Sequence, residues 1–390
     1  MKKPLKSWPV KTLKNNDFIS NVIKPAIDFI EKIRLGDRVS IVFGHDCDSI
    51  SSAVIIYKLI KNLIKTKPNL IVSNLNSSIP ETTLKEIKKS KPTHVIILDI
   101  SYVNVAVLYE IRKFAKILII DHHPPKGYTR ISYCNPRIFK PNSYLPASYL
   151  CYKIYEKFGD VKTILWIAGI GVLGDMGMKN CEDLFKKIKT VNRELVNELE
   201  NNDKKLFEES LLGKLVSLVD SARIVKSIKG VKTAVDLLLK AKNFKEILNK
   251  KNVLIKYSKT VEKEFDKILK DFERNKKIKK MFVLYEIKSK LNLKSSLSNY
   301  LIPYYPQKIL LIYQKMGEKF FEVSLRKGKD IEIDLGKLIE EIVSDIPNAS
   351  GGGHPSAAGA RIPVKFFRKF MRKIDVYSNK KDLFQLFAAK

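Results

Sequence analysis

Histidine, tryptophan and cysteine are scarce in this chain of 390 residues, at five, two and four. Cys47, Cys134, Cys151 and Cys181 are far apart and form no Cys-x-x-Cys pair. That excludes a zinc ribbon or a disulfide framework as the basis of the fold and fits a reducing, cytoplasmic setting. Long hydrophobic runs are missing too. The longest, residues 164–174, is well short of the ~20 apolar residues that cross a bilayer, so it reads as a buried helix and no membrane partner is expected. The N-terminal sixteen residues are basic but lack the apolar centre of a signal peptide. Acidic residues are heavily outnumbered: 41 Asp and Glu against 73 Lys and Arg give a formal net charge of +32. An excess of one sign on this scale points to a polyanionic partner, nucleic acid above all. A lysine-rich compositional bias is the alternative, because Lys is spread along the whole chain.

What is present describes an ordinary globular protein, 45% hydrophobic and 29% charged, and long enough for two domains. From residue 39 to 175, short apolar runs alternate with helical stretches. The runs are Val39–Phe43, 70–72, His94–Leu98 and Lys116–Ile120; the helices fall near 51–64, 81–88 and 103–114, with one before them near 19–33. Repeated strand-helix units predict a doubly wound, mainly parallel α/β sheet. Residues from about 180 to 278 show helical periodicity without a convincing strand. Their basic stretch, 240–280, reads equally as a solvated helix surface or a nucleic-acid groove. Strand signals return at 281–287, 309–313 and 320–325, with helices near 297–300 and Leu335–Val343. The expected division is 1–178, an α/β domain; 179–278, a helical insert or linker; and 279–390, a smaller α/β domain.

The chemistry sits at the ends of the apolar runs. Val39–Phe43 is followed by Gly44-His45-Asp46-Cys47-Asp48-Ser49, and His94–Leu98 by Asp99. Lys116–Ile120 runs into Asp121-His122-His123, and the buried apolar helix closes on Gly174-Asp175. Strand carboxyl ends are where α/β sheets place their sites. One acid at such an end is ordinarily a helix N-cap or Asx turn. On extended backbone, however, Asp46 and Asp48, two apart, point the same way. Carboxylates converging without cations are costly to bury, and divalent metal removes the cost. Carboxylate with imidazole suits Mn²⁺, with Mg²⁺ or Zn²⁺ as alternatives. His94 starts its strand at the opposite end and reads as structural.

Taken in order, Asp46-x-Asp48, Asp99, Asp121-His122-His123, Gly174-Asp175 and Gly351-Gly352-Gly353-His354 resemble the DHH phosphoesterase superfamily with its DHH-associated C-terminal domain. The likeness is of the RecJ and archaeal GINS-associated nuclease type. It implies two Mn²⁺ ions, or Mg²⁺, with Asp99 between them, Asp46 on one, and Asp48, His122 and Asp175 on the other. His123 would face the scissile phosphate and Asp121 would orient the histidines. Arg326 and Gly351, Gly352, Gly353 and His354 would hold the substrate, with the active site in an interdomain cleft. Two departures stand out. The family's usual His or Asp two residues before the first aspartate is Gly44 here, with His45 as a substitute ligand. Its usual Gly after the second aspartate is Ser49.

The activity this implies is a metal-dependent exonuclease on single-stranded DNA or RNA, 5′→3′ by resemblance, in replication or repair. Tyr300, Tyr304 and Tyr305 can stack bases or fill the core. One alternative is an oligoribonuclease or a phosphodiesterase of linear or cyclic dinucleotides. Another is a replisome scaffold with little or no nuclease activity, with GINS and the replicative helicase as its partners.

Overall fold

The computed structural model describes residues 15–73, 78–196 and 203–379; the first fourteen residues of the basic N-terminal segment lie outside these. Contacts divide the chain into two compact units that part between Ser258 and Lys259.

The first unit is built on five parallel strands: β1 (Val39–Phe43), β2 (Asn69–Val72), β3 (His94–Leu98), β4 (Lys116–Ile120) and β5 (Ser132–Cys134), in spatial order β2-β1-β3-β4-β5. Helix α1 (Asn15–Ile30) precedes them, and α2 (Cys47–Ile64), α3 (Glu81–Lys89) and α4 (Val105–Arg112) connect β1 to β4. β1 and β3 are buried along their whole length and pair residue for residue, Val39 with His94 through Phe43 with Leu98. Their side chains alternate between two cores, as the two-residue period of a strand requires. Ile41, Phe43, Ile96, Leu98, Leu118 and Ile120 point to one face, and Val42, Val95, Ile97, Ile117 and Ile119 to the other. Each such buried side chain contributes roughly 1.5–3 kcal/mol. In this strand order the chain turns one way after β1 and the other way after β3. That switch opens a crevice at their carboxyl ends.

On the first of these faces lie α5 (Ala147–Glu156) and α6 (Leu165–Gly174), then α7 (Glu182–Val191), α8 (Asp203–Glu209), α9 (Leu211–Lys240) and α10 (Phe244–Ile247). Helix α9 is broken at Ser227, whose φ of +50° is not helical. Residues of α7 and α9 share the core of α2 and α6, so most of the stretch read as an insert packs into the first unit. Glycine lets α2, α5 and α6 meet closely. A Cβ on Gly171 would stand 2.4 Å from Ser148 Oγ, and one on Gly174 would stand 2.6 Å from Cys47 Cβ. This contact fixes where Asp175, just past α6, emerges. Among the described residues no helix is long and apolar enough to cross a membrane.

Helix α11 (Val253–Asn275) leads into the second unit, a six-stranded sheet in the order β10-β11-β9-β8-β7-β6. Its strands are β6 (Lys277–Ile278), β7 (Phe282–Glu286), β8 (Ile309–Met316), β9 (Phe320–Lys327), β10 (Ser350–His354) and β11 (Ala357–Pro363). Only β7 and β8 run parallel. Helices α12 (Lys294–Leu301), α13 (Leu335–Val343) and α14 (Phe367–Asn379) complete it. The glycine run, expected to help hold the substrate, is itself the edge strand β10. Gly353 there has φ +155°, and a Cβ would lie 2.4 Å from Ala357 O.

Candidate active site

The crevice at the strand switch holds the acids. Asp46 ends the loop after β1 and caps α2, accepting a hydrogen bond from Ser49 N at 2.9 Å. Asp48 lies in the first turn of that helix, so the extended-backbone reading of the pair is corrected: capping by Asp46 starts the helix one residue later. The Asp48 carboxylate accepts from Ala147 N at 2.7 Å, from Ser148 N at 2.9 Å and from the Ser148 hydroxyl, a tie to the N-terminus of α5. Asp99 follows β3 with φ +52°, a left-handed conformation that Asp tolerates better than most residues. Its Oδ2 accepts from Ser49 Oγ at 2.6 Å, and its buried Oδ1 faces the two histidines, 3.3 Å from His122 Nε2 and 3.8 Å from His123 Nδ1.

After β4 the Asp121 carboxylate turns back on its own loop. It accepts from His123 N at 3.1 Å and lies 2.8 Å from His123 Nδ1. Asn135 braces it, 3.4 Å from Asp121 Oδ2 and 2.9 Å from His123 O. His122 is buried, with Nε2 at 3.3 Å from Asp99 Oδ1 and 3.5 Å from Asp175 Oδ2. Asp175 is held in turn by the Tyr144 hydroxyl, 2.7 Å from both its carbonyl oxygen and Oδ2, and the Tyr144 ring stands edge-on to His122.

Burial first, then the charge of Asp99, pushes the Asp46 carboxyl up. Burial followed by the charges of Asp99 and Asp175 does the same to Asp48. Asp175 is also raised, mainly by burial. Asp99 goes the other way: burial works against its ionisation, but the hydrogen bond and charge of His122 prevail. His122 is correspondingly raised, its carboxylate neighbours outweighing burial. His123 is raised too, because the Asp121 hydrogen bond and charge more than offset its burial. Three carboxyls driven toward their neutral forms beside two imidazoles favoured as cations mark a pocket in which acidic groups outnumber basic ones.

Among the described residues, two groups each bring their donor atoms within 4.8 Å of one another: Asp99, His122 and His123, and Asp48, His122 and Asp175. The second contains the three residues that the resemblance assigns to one ion. Oxygen and imidazole donors, with the buried Asp99 Oδ1 facing both histidines, fit a hard to borderline divalent cation. Asp46 and His45 fall outside both sets. Asp46 faces Asp99 and Asp175 electrostatically. His45 is lowered by burial and then by the charge of Arg223. His94 lies at the far end of β3, beside Thr93, Asp37 and Phe29.

Asn135, Tyr144, Ser148 and Arg223 are not singled out by the sequence. Arg223, on α9 and paired with Asp220 at 2.5 Å, is raised by that partner despite burial, with smaller contributions from Cys47 and Asp46. Nothing in its lysine-rich surroundings marks it. Ser49 alone carried a signal, as the departure from glycine.

In the second unit Arg326 leaves the end of β9 into a cleft of about 440 Å³, shared with Gly352 and Gly353. Gly351 turns instead toward Ile339 and Val343 of α13. His354 ends β10, exposed.

The DHH family N-terminal domain matches residues 38–174, and the DHHA1 domain matches residues 252–380. An uncharacterised protein of Methanocaldococcus jannaschii is 26% identical over 147 residues, 35% of this chain and 33% of that relative, so the match spans about a third of the relative's length. Manganese-bound exonuclease RecJ is structurally similar, with TM-score 0.67 and 13% identity over 98% of each chain. The DHH domain of a member of the s1p family of ribosomal proteins has TM-score 0.71 and 15% identity, covering 94% of this chain and 92% of that one. At these identities the likeness is one of fold. With both domain matches in order along the chain, the strand-end acids at the switch of the parallel sheet and the Gly-Gly-Gly-His hairpin place the protein in the DHH superfamily, a RecJ-like fold whose DHH domain is followed by a DHHA1 domain.

Proposed function

We propose that the protein is a metal-dependent phosphodiesterase that removes nucleotides from single-stranded nucleic acid, 5′→3′, in DNA replication or repair. The observation that carries this reading is the gathering of Asp48, Asp99, His122 and Asp175, with His122 Nε2 3.3 Å from the buried Asp99 Oδ1 and 3.5 Å from Asp175 Oδ2. Asp48, His122 and Asp175 would hold one divalent cation, Mn²⁺ or Mg²⁺, and Asp99 with Asp46 a second, His45 standing beside it. Bound there, the ions supply positive charge that polarises phosphoryl oxygens and acidifies water.

The chain's own residues do the rest. Asp121 engages His123 at Nδ1, fixing the ring and leaving Nε2 for the scissile phosphate. Because Asp121 favours the protonated imidazole, His123 can give a proton to the departing oxygen as water attacks phosphorus and the P–O bond breaks. Asn135 keeps Asp121 and the following loop in place, and Tyr144 does so for Asp175. Arg326, Gly352 and Gly353 offer a planar guanidinium and close backbone approach to a strand phosphate; Gly351 and His354 flank them. On this reading residues 1–178 carry the chemistry, 179–278 support it and 279–390 hold the strand. The net charge of +32 suits a polyanionic substrate.

A time course on 5′- and 3′-labelled DNA and RNA oligomers with Mn²⁺ tests substrate, direction and activity together. Asp99→Ala and His122→Ala should abolish cleavage. An Asp99→Ala protein that degrades single strands at the wild-type rate would refute the assignment. A preference for dinucleotides over long oligomers would shift the reading to the short-substrate alternative.

A further inference from the structure

Helix α12 has two unlike faces. Leu293, Leu297, Ser298 and Leu301 are buried against the sheet, whereas Ser295, Asn299 and Tyr300 are exposed, as is Tyr304 one turn further on. Tyr300 and Tyr304 are 49% and 68% exposed, a large aromatic surface to leave in water. Their rings stand 6.0 Å apart, and Phe265 of α11 backs Tyr300 edge-on at 5.5 Å. The phenylalanine fixes one ring without covering it.

The same exposed face holds the cation of the neighbouring cleft. Arg326 Nε donates to Asn299 Oδ1 at 2.8 Å, and Nη1 donates to Leu325 O at 2.9 Å and to Ser324 Oγ at 3.4 Å. All three partners are neutral. The acid in that cleft, Glu322, is occupied by Lys294 at 3.0 Å. Arg326 therefore keeps an uncompensated, half-buried positive charge, and burial lowers its pKa accordingly. Arg361 lies in the cleft as well, over the Phe320 ring at 4.1 Å.

We propose that the exposed face of α12 seats a single strand of nucleic acid. Its bases stack on Tyr300 and Tyr304, one phosphate lies in the Arg326 cleft, and Asn299 is the positioning residue that holds the guanidinium. Resting on the nuclease reading above, this deepens it by assigning a substrate longer than a dinucleotide, with two bases on the rings and a further nucleotide's phosphate in the cleft. Asn299 and Tyr300 are adjacent in sequence, about 100° apart around the helix, so grip and platform lie side by side. A duplex hides its base faces and cannot use the rings. An acidic peptide could take the arginines but gains nothing from stacking.

The test is binding by the full chain in EDTA, with a 3′-fluorescein ten-nucleotide oligothymidylate as probe and unlabelled dinucleotide or polyglutamate as competitors. Tyr300→Ala and Tyr304→Ala should each raise the Kd of the decamer about tenfold while leaving dinucleotide competition unchanged, the size expected for one lost base stack. Tyr300→Phe should bind like the wild type. Asn299→Ala should weaken decamer and dinucleotide alike, and Asn299→Asp, which neutralises Arg326, more so. Polyglutamate displacing the probe as well as unlabelled decamer overturns the proposal. If the Tyr→Ala proteins bind the decamer in EDTA, and cut it once Mn²⁺ is added, as well as the wild type does, the platform alone falls. If the wild type binds no oligonucleotide, the nuclease reading falls with it.

Discussion

Ser49 donates its hydroxyl proton to Asp99 Oδ2 at 2.6 Å, joining the first turn of α2 to the residue that follows β3. The family's usual glycine at this position has no such donor, so the departure adds a contact on the acid at the centre of the site. A hydrogen bond to a charged acceptor contributes about 1.5–3 kcal/mol. Ser49→Ala should lower the stability of the metal-free protein by that amount, read from urea unfolding in EDTA. It should also weaken Mn²⁺ binding roughly tenfold, as loss of a ligand's supporting partner does. Ser49→Gly should cost a further ~0.5–1 kcal/mol from backbone freedom in the helix. Unchanged stability and unchanged Mn²⁺ affinity in Ser49→Ala would reduce the contact to an accident of packing.

Tyr144→Phe probes the other side of the pocket. The ring can stay edge-on to His122 while Asp175 loses its donor. Calorimetric Mn²⁺ affinity should fall about 10–100-fold with the far-ultraviolet dichroism intact. Equal affinity would mean that Asp175 is placed by α6 alone.

The parts of this site that were legible are those that local pattern dictates. β1, β3 and β4 were read to the residue because both faces of each are buried, leaving a continuous apolar run with a polar stop. β5 was missed: Ser132, Tyr133 and Cys134 form a short edge strand, only its last residue buried. The helix expected over 103–114 starts at Val105, because Asn104 accepts from Ala106 N at 2.8 Å and caps it. The acids were visible as a set, but not what holds them. Asn135 and Tyr144 act across loops, and Arg223 reaches the site from a helix far along the chain, so each depends on tertiary contacts that no spacing encodes. Even the Asp46-x-Asp48 pair was misjudged in geometry, since local capping won over extension.

The opposite end of α5 gives the acid limb of stability. Lys153 Nζ lies 2.7 Å from Glu156, and Lys187 of α7 also pairs with it. Burial works against the charge of Glu156, but these two partners prevail and hold its carboxyl at about 2 rather than the ordinary 4.5. With the folded value depressed, the contribution is complete above pH 4.5 and is lost as pH falls toward 2. After solvent screening it is about 1–2 kcal/mol. The stability difference between wild type and Glu156→Gln, from urea midpoints, should shrink steadily over that window. A difference that is constant with pH would show that the ion pairs do not hold α5 to α7.

Asp48 is both a tie and a candidate ligand, and the two roles separate by measurement. As a tie it receives two backbone amides and a hydroxyl from the start of α5, where the helix dipole also favours a negative charge. Asp48→Ala would bury those donors without an acceptor, at about 1–3 kcal/mol each, partly offset by relief from Asp99 and Asp175. The metal-free protein should therefore lose about 3 kcal/mol. Asp48→Asn keeps one accepting oxygen and should lose about a third of that. As a ligand, Asp48 matters only when cation is present. Saturation at a hundred times Kd stabilises a binding protein by ~2.7 kcal/mol, and both variants should lack most of that increment. Unfolding each protein with EDTA and with Mn²⁺ gives both terms. An Asp48→Asn protein that keeps the full manganese increment would leave Asp48 as a structural clamp and move the ion to Asp99, His122 and His123.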